Sequence, residues 1–570
     1  MAFNNSYLLR VKVLQTLRNI FLLIKLCTKT KQGKWGFCYA FIVISLKIVL
    51  IKISLEMIGW NKNFFNALEK YNLQEVVNQI GVFILLTILG AITFLMSDYL
   101  RKITVIIWRK VLNDTILDHW INNKTYWFLN NKQGEIDNPE QRIAEDCQLF
   151  VDKLTNEGFS FITQLIGLVT YFILLWQITD NFVLSFNLLG FDISLSHYMV
   201  WLAPIYVIIC SYLTHWLGNP LKALLIQQQH KEADYRFALT RFRESKEPIA
   251  LLNGEKVERE ILDQHFSDIM TNWYQLIKRQ LFLGCFTRPY NLTVLQIPTF
   301  FALPIYLIGK VSLGSLMQIS KTFSNVVVNL SWFIFNYNNL AELTACNHRL
   351  CQFINRARLI ADMHNQQRQF EKDTDTLLIN NLIIKNPSGK VLLKVPELRL
   401  NKGESIILSG VSGIGKSTLF KLLSGIYPYY EGYIKLPKAN KLFLSQNPYF
   451  PMGGLAHAVA YPNPLLEKDL DSIKQILAEV GFLAQDIEKK LLDYDLNRLS
   501  GGEKQRLVIA RILLHKPDWI FMDETTNALD KHSEHQLLKL LQTNLTNSSF
   551  IIISHSDISS YFKQCNQLIL

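Results

Sequence analysis

The chain has 570 residues, 49% of them hydrophobic and 19% charged, with a formal net charge of +12. That length calls for several domains, and the apolar content excludes a disordered chain and points to a membrane protein. The basic excess would suit nucleic acid, but its distribution along the chain argues against that partner. The eight cysteines show no C-x-x-C spacing and are expected as reduced thiols with no metal site.

Residues 1–35 hold Arg10, Lys12, Arg18, Lys25, Lys29, Lys31 and Lys34, no acidic residue, and Leu17, Ile20, Phe21 and Ile24 between the charges. This is the pattern of a basic amphipathic segment on the cytoplasmic membrane surface. No cleavable signal peptide is expected, because the basic start runs into a long span and then into others. Six stretches approach the roughly 20 residues needed to cross a bilayer: residues 37–58, 79–100, 158–178, 198–217, 289–309 and 311–337, the last the least hydrophobic. Residues 1–35 and the long connections 101–155 and 215–288 carry 26 Lys and Arg, whereas the short connections carry only Lys62, Lys70 and Lys310. The positive-inside rule therefore puts both termini and the long connections in the cytoplasm. The basic charge is explained by topology, and no nucleic acid is expected.

Polar residues inside the spans are the only guide to a transported solute. Lys47 and Lys52 lie in the first span, with Glu56 one helical turn beyond Lys52 as its natural partner. In the last span Gln318, Lys321, Asn325 and Asn329 fall on one helical face. Intramembrane lysines are costly and usually face a water-filled cavity, so Lys47 and this face are candidate pathway residues. The competing reading makes Lys52–Glu56 structural, lets Lys47 snorkel and packs the polar face against another helix. Polar, helical sequence follows, then a charged linker, which divides the chain into 1–35, a transmembrane domain 36–350, a linker 351–376 and a last domain 377–570.

In that last domain an apolar run, residues 406–408, precedes GVSGIGKST, residues 410–418, and helical spacing follows. Strand, glycine-rich loop and helix are the context this motif needs. Backbone N–H groups around Gly410, Ser412, Gly413 and Gly415 wrap phosphates, and the helix N-terminus adds partial positive charge. Lys416 reaches the terminal phosphates, Ser417 ligates magnesium, and Thr418 sits beside it. Gln446 follows a plausible strand, residues 441–444. LSGGE, residues 499–503, opens a helix; WIFM, residues 519–522, ends on Asp523 and Glu524; and His555 follows a further apolar strand, residues 550–553. Asp523 suits magnesium, Glu524 is placed to polarise the attacking water, and His555 to contact the γ-phosphate.

Phosphate loop, glutamine, LSGGE, Asp-Glu, Ala-Leu-Asp and histidine, in that order, resemble the nucleotide-binding domain of ATP-binding cassette (ABC) transporters. The resemblance implies ATP and Mg2+ as ligands. Ser417, Gln446 and Asp523 would serve the metal, and Glu524, Gln446 and His555 catalysis. It further implies that Ser500, Gly501 and Gly502 face the γ-phosphate of ATP held by another subunit, with Asp530 in the loop crossing that interface. One such domain per chain then means a homodimer, or a heterodimer, in a lipid bilayer.

DNPEQRIAED at residues 137–146, EADYRFALTRFRE at 232–244 and SLGSLMQ at 312–318 resemble a subgroup of half-transporters. It includes bacterial YddA-type proteins, mycobacterial-type cobalamin and peptide importers, and peroxisomal and lysosomal members. The implied fold is an all-α six-helix transmembrane domain fused to an α/β P-loop NTPase (ABC) nucleotide-binding domain, in a bacterial inner membrane, moving an unidentified solute. The alternatives are an ATP-gated channel and a membrane-bound sensor. Two positions depart from the family pattern. Asn386 stands where an adenine-stacking aromatic is usual, and Asn527-Ala528-Leu529-Asp530 replaces the usual Ser-Ala-Leu-Asp.

Overall fold

Thr30 starts the first long apolar helix: its side chain accepts a hydrogen bond from Gly33 N at 3.1 Å, satisfying one of the unpaired amides of a helix start. The computed structural model describes every residue except 1, 130–138, 180–182, 189–190, 294–295, 297–298, 301–302, 304–305, 308, 310, 368–370, 373–374, 412, 555–560, 563–564 and 570. The chain forms two compact units, one of residues 1–118 and 137–355, the other of 119–136 and 356–570.

The first unit is built from α1 (Ala2–Cys27), α2 (Lys31–Glu69), α3 (Leu73–Ile121, continuing into the second unit), α5 (Cys147–Ile178), α6 (Tyr198–Glu244), α7 (Glu255–Thr293), α8 (Leu313–Leu330) and most of α9 (Tyr337–Gln367). Its apolar centre gathers Ile51 and Ile58 of α2, Tyr171 and Leu175 of α5, Val200 and Val207 of α6, and Ile319, Phe323 and Val326 of α8. Helix α8 is fixed to α2 at one close crossing. Gly314 N donates to Asn66 Oδ1 at 3.0 Å, and a Cβ on Gly314 would lie 2.1 Å from Lys62 O, so only glycine fits.

Among the described residues four helical segments are long and apolar enough to cross a membrane: Lys31–Glu69, Leu73–Ile121, Pro139–Ile178 and Val200–Glu244. They contain the first three predicted spans and all but the first two residues of the fourth. The fifth, 289–309, falls largely outside the described residues. The sixth is carried by α8, which is not one of the four. Its 18 residues rise only about 27 Å at 1.5 Å each, and its polar side chains lower its hydropathy. The expectation of an all-α unit is also amended, because strands β1 (Val183–Leu188) and β2 (Phe191–Ser196) form an antiparallel hairpin in the connection 179–197. The expected Lys52–Glu56 pair is absent; both side chains are exposed and no ion pair joins them.

The motif at 137–146 has a structural use in its described part, residues 139–146. Asp146 is buried and accepts from Arg349 Nη2 at 2.6 Å and Nε at 2.8 Å, and from Arg142 Nη1 at 3.0 Å. A buried carboxylate is tolerable only when paired in this way.

The second unit is an α/β domain. Strands β3 (Thr376–Lys385), β4 (Val391–Asn401) and β6 (Tyr430–Pro437) pair antiparallel, with β3 between the other two. A parallel sheet is ordered β10–β5–β9–β8–β7, where β5 is Ser405–Ser409, β7 Lys441–Leu444, β8 Trp519–Asp523, β9 Ser549–Ile553 and β10 Cys565–Ile569. Strand β8 is buried apart from its last residue, Asp523, the near-continuous apolar run expected of a parallel strand covered on both faces. Phe521 stacks on Phe443 of β7 at 4.1 Å and meets Phe420 of α10 (Lys416–Leu423) edge-on at 5.9 Å. Helices α11 (Gly501–His515) and α12 (Lys531–Asn544) pack in a second apolar cluster with Leu455, Ile473 and Leu477.

Replacing Asp146 by alanine leaves two arginines without their shared partner and should cost about 3 kcal/mol. The thermal unfolding midpoint of the detergent-solubilised Asp146→Ala protein is expected to drop by several degrees. An unchanged midpoint would remove the cluster from the stability of the first unit.

Candidate functional site

Parallel pairing aligns the carboxyl ends of β5, β9, β8 and β7, where open α/β sheets bind ligands. Leu408 lies opposite Ile553, Ile553 opposite Asp523, and Leu444 opposite Met522. The glycine-rich loop leaves β5 at this edge, Gln446 follows β7, and Asp523 ends β8. Gly413 and Gly415 have φ of 84° and 108°, the left-handed region where glycine is unstrained. A Cβ on Gly415 would meet Leu393 Cβ at 3.4 Å. Lys416 is buried, and its Nζ donates to Gly410 O at 2.6 Å and Val411 O at 3.3 Å, holding the ammonium across its own loop. Ser417 and Thr418 lie in the first turn of α10.

Asp523, at the end of β8, and Ser417, in the first turn of α10, are neighbours at this edge. A hydroxyl and a carboxylate, both hard oxygen donors, fit Mg2+. Partial burial raises the Asp523 carboxyl above its ordinary value; Ser417 opposes this, and the neighbouring Glu524 charge adds to it. Glu524 has φ 50° and donates its backbone N–H to Ile553 O at 3.1 Å, which turns its side chain sharply away from β8. Glu524 Oε2 accepts from Gln446 Nε2 at 3.0 Å and from Asn527 Nδ2 at 2.9 Å. Lys416, Ser417, Gln446, Asp523 and Glu524 thus converge on one sheet edge. His555 and Ser412 lie outside the described residues.

Ser500 is the N-cap of α11 in a capping box. Its Oγ accepts from Glu503 N at 3.3 Å while Glu503 Oε2 accepts from Ser500 N at 2.8 Å. Gly501 and Gly502 form the first turn, and their nearest neighbour is Ala528: a Cβ on Gly501 would lie 3.3 Å from Ala528 Cβ. Among the described residues, no hydrogen bond ties Ser500, Gly501 or Gly502 to the glycine-rich loop of the same chain. Asp530 caps α12, accepting from Ser533 N at 2.9 Å. Asn386 closes the β3–β4 turn, accepting from Lys390 N and Ser388 Oγ at 2.8 Å each, so its amide serves the turn.

A family profile described as "ABC transporter transmembrane region 2" matches residues 23–303, and one described as "ABC transporter" matches residues 393–527. The chain is 32% identical to the inner membrane ABC transporter ATP-binding protein YddA of Escherichia coli (strain K12), with 92% of each chain covered. It is 33% identical to an ABC transporter ATP-binding protein of Haemophilus influenzae, covering 93% of this chain and 88% of that one. It is also 25% identical to the mouse lysosomal cobalamin transporter ABCD4, over 79% and 77% of the two chains.

The chain belongs to the ABC transporter family.

It is an ABC half-transporter, with one membrane unit and one ATP-binding domain, and it couples ATP hydrolysis to transport. Several polar contacts of this half-transporter's ATP-binding unit escape motif reading. Gln505, buried on α11, accepts from Ala528 N at 2.9 Å and so fastens the loop after Glu524 to the LSGGE helix. Asn527 holds Glu524. Arg511 donates to Tyr449 O at 3.0 Å and to Ala458 O at 2.8 Å beneath the rings of Phe450 and Tyr461, and burial pushes its guanidinium down to about 10. It pins the segment just past Gln446 to α11. Finally, α4 (Thr125–Leu129) follows Lys124, whose Nζ donates to Ser424 O at 2.7 Å, and Trp127 Nε1 donates to Ile426 O at 2.9 Å. Both acceptors lie just past the end of α10. Polar residues inside otherwise apolar helical runs, such as Gln505 and Arg511, are the only sequence signal for these contacts.

In the membrane unit Lys321 is exposed, while Gln318, Asn325 and Asn329 are half-buried. Asn329 packs against Gly167 of α5, where a Cβ would lie 3.2 Å from its Nδ2. Asn325 Nδ2 is buried with no hydrogen-bond partner among the described residues. Lys47 is half-buried, with Arg101 and Asp98 as neighbouring charges.

Because the folded state holds the Asp523 proton more tightly than the unfolded chain, the contribution of this group to stability falls as pH rises through the carboxylate range toward its higher folded value. Asp523→Asn removes that cost. The nucleotide-free variant is expected to melt at a higher temperature than the parent at neutral pH, with the gap closing near pH 4, about the ordinary carboxylate value, while ATP hydrolysis is lost. A variant that melts lower at neutral pH would contradict the assignment.

Proposed function

We propose that two copies of this half-transporter form a homodimer that carries a polar or amphipathic solute across a bacterial inner membrane, with both termini cytoplasmic. The clamped Glu524 at the carboxyl edge of the parallel sheet carries the catalytic part of this reading. Each chain has one phosphate loop and one LSGGE helix, and the capped start of α11 in one copy is assigned to the ATP held by the other. Lys416 and the amides of the loop hold the phosphates. Ser417, Gln446 and Asp523 would hold Mg2+, which neutralises phosphate charge when bound. Glu524 accepts a proton from the water whose oxygen attacks the γ-phosphorus; the bond from that phosphorus to the bridging oxygen breaks, and ADP and phosphate leave. His555, which follows β9 in sequence, is assigned to the γ-phosphate.

Contacts from α4 to the end of α10 support a path by which closure around ATP reaches the membrane helices. Exposed Lys321, with Gln318, Asn325 and Asn329 on the same face of α8, supports a polar solute pathway, with Lys47 as a further candidate. The orphaned Asn325 amide favours this use of the face over helix packing alone, whereas Asn329 serves packing on Gly167 as well. Asp530, at the start of α12, is assigned to the contact between copies.

Glu524→Gln should bind ATP, trap a closed dimer visible by size-exclusion chromatography, and lose about a hundredfold or more in hydrolysis, the usual contribution of a positioned base. Normal turnover would remove Glu524 from that role. With protein in nanodiscs and a panel of corrinoids, peptides and acyl thioesters, any solute that stimulates the parent should stimulate Lys321→Ala less. Equal stimulation would take Lys321 out of the pathway.

A further inference from the structure

Asn527 is one of the two positions where the ATP-binding domain departs from the usual family residue, and the structure gives it a specific contact. Its Nδ2 lies 2.9 Å from Glu524 Oε2, the oxygen that Gln446 Nε2 approaches at 3.0 Å. Serine is one side-chain bond shorter than asparagine, so the longer amide is what makes this reach. Asn527 is also anchored from behind. The next amide, Ala528 N, donates to Gln505 Oε1 at 2.9 Å; Gln505 is buried on α11, the helix that Ser500 caps. At the other end of the loop Glu524 N is fastened to β9 through Ile553 O, and Asp530 starts α12. A continuous series of hydrogen bonds and one peptide link therefore runs from α11 through Gln505, Ala528 and Asn527 to the Glu524 carboxylate.

We infer that Asn527 is a positioning residue: it sets the direction of the Glu524 carboxylate and makes that direction depend on where α11 holds the loop. Glu524 leaves its strand with a left-handed φ of 50°, so its side chain starts from a backbone position that no neighbouring strand residue repeats, and two amide donors on one oxygen restrict the rotation that remains. The bond leaves ATP affinity untouched, because among the described residues no hydrogen bond joins Asn527 to the phosphate loop. Loss of the bond broadens the carboxylate's orientations and slows proton acceptance from water.

This inference rests on Glu524 being the base, and the test separates the two. Steady-state ATPase and fluorescent-nucleotide binding in the presence of EDTA are measured on the full-length parent and on Asn527→Ala, Asn527→Asp, Asn527→Ser and Glu524→Gln. Asn527→Ala and Asn527→Asp are expected to lower kcat about tenfold, part of the hundredfold or more that a positioned base supplies, with KM for ATP and nucleotide Kd within about twofold of the parent. Asn527→Asp matters most, since it preserves shape and cannot donate when ionised. Asn527→Ser, whose hydroxyl is one bond too short for this reach, should lose as much as Asn527→Ala; parent-like kcat in Asn527→Ser also overturns the positioning role. Parent-like kcat in Asn527→Asp, or a drop in kcat matched by a loss of nucleotide binding, overturns the positioning role. Normal hydrolysis in Glu524→Gln overturns the underlying assignment instead.

Discussion

The ATP-binding unit depends on parallel strands held in register at one edge. Leu408 of β5 pairs with Ile553 of β9, and Ile553 with Asp523 of β8. A one-residue slip would turn every side chain to the opposite face and carry Asp523 away from Ser417. The register is maintained by apolar burial: Trp519, Ile520 and Phe521 are wholly buried, and Phe521 is held by aromatic rings from β7 and α10. Polar chemistry is confined to the rim where this apolar layer stops.

Behind that rim lies a second level of order. Helix α11 meets the loop after Glu524 through Gln505, meets the segment after Gln446 through Arg511, and presents Ser500 at its start. Its buried polar side chains are tolerated because each is hydrogen-bonded to backbone groups. The helix therefore acts as a strut between the places where ATP would be touched and the places where water would be activated.

Much of this was legible in the sequence, and for a local reason. Residues 410–418, Gln446, Ser500, Asp523 and Glu524 each sit at a strand or helix end, and such ends are written in short stretches of apolar, glycine and capping residues. What stayed hidden needs partners distant in the chain. Asp146 finds Arg349 in another helix, Gln505 finds Ala528, and nothing near Asn527 announces its contact with Glu524. Asn386, conspicuous as a missing aromatic, is consumed by a tight turn. In the membrane unit the polarity that marked α8 as a pathway candidate also kept it out of the group of apolar spans, and the hairpin of β1 and β2 occupies a connection read only as a short external link.

Helix α10 is eight residues long, about 12 Å at 1.5 Å per residue. Its start bears the phosphate loop, and the carbonyls just past its end accept from Lys124 and Trp127. A helix dipole favours anions at the first end and cations at the second, so Lys124 and a bound phosphate complement opposite poles of the same short element. Reciprocity then applies: whatever factor phosphate binding adds to the grip of α4 on α10, that grip adds to phosphate binding. Strain arriving along the chain from α3 would in this sense compete with ATP or assist it, acting through a helix with one end toward each.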